Sequence, residues 1–119
     1  MTKETQFFVV GETRKLLRSS SACPEAKEAA RRFLDAIGTD NEKAEAAKFL
    51  QELEEDLEPI DDVIAFANSP SAEKYFGLEG AQKFRDHVKD MKEKGIRYCD
   101  CPACRCAEAI LKEKDAILS

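Results

Sequence analysis

Four of the five cysteines fall within residues 99–106, which read Cys-Asp-Cys-Pro-Ala-Cys-Arg-Cys, a CxCxxCxC array. Thiolates are strong ligands for Zn²⁺ and for iron–sulfur clusters, and a closed structural zinc site takes four nitrogen or sulfur donors. The question is which four. Proline suits the first helical position, so Pro102 opens a helix with Cys101 as its N-cap and Cys104 one turn in. Three residues turn the helix by about 300°, which puts those two on one side; Cys106, about 200° from Cys104, points away. The fifth cysteine, Cys23, precedes Pro24 just as Cys101 precedes Pro102. Both would sit at helix N-termini, where unpaired N–H groups and the positive dipole end favour thiolate. Cys23, Cys99, Cys101 and Cys104 are therefore the expected metal ligands, joining the loop after the first helix to the last helix. A rival quartet, Cys99, Cys101, Cys104 and Cys106, requires the backbone to stay non-helical through Cys106. Zinc is the expected metal, and an iron–sulfur cluster fits the same donors.

Other chemistry stays open at these residues. A CxxC at a helix N-terminus lowers a thiol pKa, so Cys101 and Cys104 also suit a redox-responsive protein, and weaker, exchangeable binding suits a metal carrier. Thioredoxin-like chemistry lacks the βαβ pattern it needs. Cys106 reads as a core thiol or a bystander.

The elements that must position the cysteines are marked by proline, glycine and cap residues. A first helix is predicted from Lys3 to Arg18, with Phe7, Val10, Arg14 and Leu17 on one face. Pro24 starts a second, whose Ala26, Ala29, Ala30, Phe33, Leu34 and Ile37 follow helical spacing and which Gly38 ends. Thr39-Asp40-Asn41-Glu42 matches a capping box for the third, striped by Ala46, Phe49, Leu50, Leu53 and Leu57. Pro59 opens a short fourth helix. Ser69-Pro70 opens a fifth, broken at Gly77, resuming at Glu79 and closed by Gly95. The last helix runs from Pro102 through Ala107, Ile110, Leu111, Ile117 and Leu118. The expectation is an all-α compact bundle of five to seven helices in one domain spanning residues 1–119.

Composition limits the function. The 119 residues carry 19 basic and 24 acidic groups, a net charge of −5 that argues against general nucleic-acid binding. No apolar stretch approaches the ~20 residues of a membrane span. Residues 1–10 show no long apolar core or small-residue cleavage site, so no signal peptide and a cytoplasmic, reducing setting are expected. The lone His87 sits among charged residues and reads as a surface side chain. Glu52, Glu54, Glu55, Asp56, Glu58, Asp61 and Asp62 read as a solvated face. Lys89, Lys92, Lys94, Arg97 and Arg105 surround the cysteine segment in sequence and balance thiolate charge or meet solvent. No Walker loop, GxGxxG, GxSxG or HExxH occurs, and a four-thiolate zinc leaves no open position for catalysis. A non-enzymatic module that binds another protein is the expected class.

Ser21-Ala22-Cys23 before an Ala/Glu/Lys helix, Leu53-Glu54-Glu55-Asp56 followed by Pro59-Ile60-Asp61, and Tyr98-Cys99-Asp100-Cys101-Pro102-Ala103-Cys104 carry a resemblance over most of the chain. The chain is similar to small uncharacterised cysteine-containing proteins of anaerobic bacteria, some labelled as ninety-kilodalton heat-shock molecular chaperones. That label implies an ATP-driven chaperone several times longer, with a nucleotide-binding domain that these residues cannot supply; no ATP-site residue is carried over. The resemblance implies cysteines matching Cys23, Cys99, Cys101 and Cys104, and none matching Cys106.

Overall fold

A computed structural model describes all 119 residues. It is all-helical, with seven helices: α1 (Lys3–Arg18), α2 (Pro24–Ala36), α3 (Glu42–Asp56), α4 (Ile60–Ala67), α5 (Pro70–Glu93), α6 (Pro102–Leu111) and α7 (Lys114–Leu118). No helix is long and apolar enough to cross a membrane. The chain divides into two units, one made of Met1–Leu57 with Asp100–Ser119, the other of Glu58–Cys99.

In the first unit α1, α2, α3, α6 and α7 share one core. Val9, Leu16, Ala30, Phe33, Phe49, Leu50, Leu53 and Ile110 are essentially inaccessible there, each large side chain contributing roughly 1.5–3 kcal/mol by leaving water. The Phe33 and Phe49 rings stack at 5.3 Å, pinning α2 to α3. A tight connection between these helices is possible because Gly38 adopts φ 83°.

The inward face of α1 differs from the predicted one. Val9, Thr13 and Leu16 are buried, whereas Phe7 is 85% exposed and Arg14 faces solvent. Turning the Phe7 face inward would have buried the Arg14 guanidinium. Thr13 is the lesser cost, since its hydroxyl donates to the Val9 carbonyl at 2.7 Å. The capping box at residues 39–42 is also rearranged. The helix starts at Glu42, Thr39 Oγ1 accepts from the Asn41 N–H, and the Glu42 carboxylate accepts from the Gly38 N–H at 3.0 Å. The predicted last helix is interrupted at Lys112–Glu113, although no glycine or proline marks the place.

In the second unit α4 packs on α5 through Val63, Ala67 and Val88, joined by Ile60, Ile64, Phe84 and Cys99. Gly77 interrupts α5 as expected, with φ 78° and ψ 171°, a conformation open almost only to glycine. Phe66, Phe76 and Phe84 cluster on the flank of this kink, with Tyr75 against Phe76. An antiparallel bridge between Pro59 and Tyr98 closes the unit. Its hydrogen bonds run from the Ile60 N–H to the Arg97 carbonyl (2.8 Å) and from the Cys99 N–H to the Glu58 carbonyl (2.9 Å), so Pro59, which has no N–H, is not asked to donate.

Candidate metal centre

The backbone of each cysteine is set before its sulfur is used. A residue preceding proline is forced out of the helical region, and Cys23 (φ −73°, ψ 158°) and Cys101 (φ −62°, ψ 156°) are both extended. That conformation suits an N-cap, and each sulfur serves as one. Cys23 Sγ accepts from the Ala26 N–H and Cys101 Sγ from the Cys104 N–H, both at 3.4 Å. Cys99 is held by its backbone bond to Glu58.

The sulfurs of Cys99, Cys101 and Cys104 all lie within 4.8 Å of one another. Tetrahedral zinc with Zn–S bonds of about 2.3 Å places its sulfurs about 3.8 Å apart, so the three need close by no more than about 1 Å. Cys104 is 9% exposed and the other two are half-buried, so a bound ion would be partly shielded from water. Three thiolates at this spacing make a cluster that can hold a metal ion.

Cys106 joins no such group. It is buried with Val9, Leu16 and Ile110 in the core of the first unit, on the side of α6 that helical arithmetic assigned to it. Burial and the neighbouring Glu12 carboxylate push its thiol up to about 11.

Cys23 has acquired partners that the sequence reading missed. Its thiol donates to Asp56 Oδ2 at 3.2 Å, and Cys23, Glu52 and Asp56 have ligand atoms within 4.8 Å of one another. Burial, then the Asp56 hydrogen bond and charge, push the Cys23 thiol above its ordinary value, outweighing the Ala26 N–H that favours thiolate. The helix N-terminus alone had suggested the opposite direction. Glu52 is pushed up to about 7, first by its hydrogen bond with Asp56, then by burial and the nearby carboxylates. The signal was the i, i+4 spacing of Glu52 and Asp56 at the end of the helix that follows α2. The rest of the acidic run is exposed, as expected, and so is His87.

Cys23 is nevertheless close to the start of α6. A cavity of about 140 Å³ is lined by Ser21, Ala22, Cys23, Asp56, Ala103 and Cys104, among others. Ser21 Oγ, in the same loop as Cys23, accepts the Ala103 N–H at 3.2 Å. Of the bases near the cysteine segment, Lys92 pairs with Asp61, Lys94 with Asp90 and Arg105 with Asp100. No family model, curated protein or solved structure matches this chain. In its own terms it is an all-helical protein carrying a compact cluster of three cysteines suited to a metal ion.

Proposed function

We propose that this is a small cytoplasmic protein whose Cys23, Cys99, Cys101 and Cys104 bind one structural zinc ion, and that it acts as a non-enzymatic module docking on another protein, without nucleic acid or membrane. The observation that carries the reading is the approach of Cys99, Cys101 and Cys104 to within 4.8 Å. Cys23 is the fourth ligand because it shares a cavity wall with Cys104, and its loop is already bonded to Ala103. Two helix N-termini offset part of the −2 charge of a four-thiolate zinc. Such a site leaves zinc no open position for substrate or water, which favours a structural role over catalysis. The resemblance to the cysteine-containing proteins of anaerobic bacteria supports the same four residues.

The test is elemental analysis of the purified, untagged protein together with a count of reactive thiols under native conditions. One zinc per chain is expected, with four thiols protected. Absence of metal with all five thiols reacting, or a disulfide between Cys101 and Cys104, overturns the proposal in favour of thiol redox chemistry.

A further inference from the structure

Cys23 donates its thiol to Asp56, and this arrangement has a use. The sulfur belongs to a mixed set with one carboxylate from Glu52 and one from Asp56, four residues apart on α3. Cys23 and Asp56 also line a cavity of about 140 Å³ with Ala103 and Cys104. Asp56 of the oxygen-rich set and Cys104 of the all-sulfur set thus line one small space together with Cys23. Oxygen donors hold zinc less tightly than thiolates, which are the softer ligands, so a cation taken up by the mixed set would move on to the sulfur set.

We propose that Cys23, Glu52 and Asp56 capture a divalent cation first and pass it through the shared cavity to Cys104, Cys101 and Cys99, with Cys23 bound throughout. This rests on the four-cysteine reading above and adds the route by which the site is filled. Cys23 gives its proton to water as the cation is captured. Two incoming thiolates then replace the Glu52 and Asp56 oxygens, the third replaces a water on the ion, each incoming thiol gives its proton to water, and the metal stays divalent. The exposed neighbours Glu54 and Glu55 raise the local cation concentration, but they lie outside the set.

Cobalt(II) tests this, because its thiolate charge-transfer absorption grows with each sulfur bound. Rapid mixing of the metal-free full chain with Co²⁺ should give a weak early absorption from one sulfur, followed by growth to the four-sulfur spectrum. In a Glu52→Gln/Asp56→Asn variant the early phase should vanish and loading slow by about ten-fold, while the final spectrum is still that of four sulfurs. Glu54→Gln/Glu55→Gln, which neutralises two carboxylates outside the set, should load within two-fold of the parent rate. Parent-rate loading of the Glu52/Asp56 variant, or equal slowing in the control, overturns the capture role while the four-sulfur end point stands. A final spectrum unchanged in Cys23→Ser instead overturns the four-cysteine reading, and the capture route with it.

Discussion

Replacing Cys23 with serine should remove one proton from the pH dependence of metal binding, which makes that dependence a count of the ligands. A thiol ordinarily titrates above pH 8, and every thiol that becomes a ligand below its own pKa releases a proton. Lowering the pH therefore weakens binding, and raising it strengthens binding. In the structure the Cys23 proton lies on the sulfur, donated to Asp56 at 3.2 Å, and burial with the Asp56 charge moves its loss to higher pH. Four ligating thiols make log K rise by about four per pH unit between pH 6 and 7, about 5.4 kcal/mol. A serine hydroxyl does not ionise in this range, so Cys23→Ser should reduce the slope to about three, or about 4.1 kcal/mol per unit. Cys106→Ser should keep the parent slope, because that sulfur is buried with Val9 and Ile110. The assay is competition for zinc against a chelator of known proton linkage, at several pH values. A parent slope of three, or a slope of four retained in Cys23→Ser, refutes the assignment of Cys23. A loss of one proton in Cys106→Ser points instead to the local quartet.

Three further outcomes are expected. Cys106→Ser sets a hydroxyl among apolar side chains and should cost about 1–3 kcal/mol in denaturant unfolding, with metal stoichiometry unchanged. Glu52 titrates near 7 in the folded chain against 4.5 ordinarily, so folding takes up a proton between those values. This stabilises the metal-free protein at low pH, and the stabilisation is lost as pH rises through 7. Asp56→Asn removes the main cause, so relative to the parent it should melt higher at pH 8 than at pH 5, by about 1 kcal/mol or less once solvent screening is included; a pH-independent difference refutes the coupling. Gly77→Ala places a side chain in a backbone conformation nearly reserved for glycine and should destabilise the second unit by about 1–3 kcal/mol, read by hydrogen exchange in α4 and α5.

Much of the fold was legible because its punctuation is local. Pro24, Pro70 and Pro102 each stand at the first position of a helix, and Gly77 interrupts α5, as read from sequence. The orientation of Cys106 also followed from rotation per residue alone. Local spacing ran out on α1, where two faces one residue (about 100°) out of phase are nearly equally apolar. Choosing between them required knowing that a threonine hydroxyl can bond within its own helix while an arginine cannot be buried unpaired. The break at Lys112–Glu113 had no local signal at all.

The surroundings of Cys23 mark the boundary between these cases. Read along the chain, Glu52 and Asp56 are two of seven acids and look solvated. A helix hairpin changes their meaning. Gly38 and the few residues after it reverse the chain between α2 and α3, and Phe33 on Phe49 sets the register of the pair. With the helices antiparallel and of similar length, the last turn of α3 must lie beside the first turn of α2, where Cys23 caps the helix. Position 56 then falls against position 23, and position 52 one turn deeper, on the same side of α3. The same packing that buries Leu53 therefore delivers its acidic neighbours to a sulfur. A residue read as a thiolate ligand at a helix N-terminus is thus also a thiol that donates to Asp56 and whose pKa is raised by burial and that carboxylate, in the lining of a cavity it shares with Cys104.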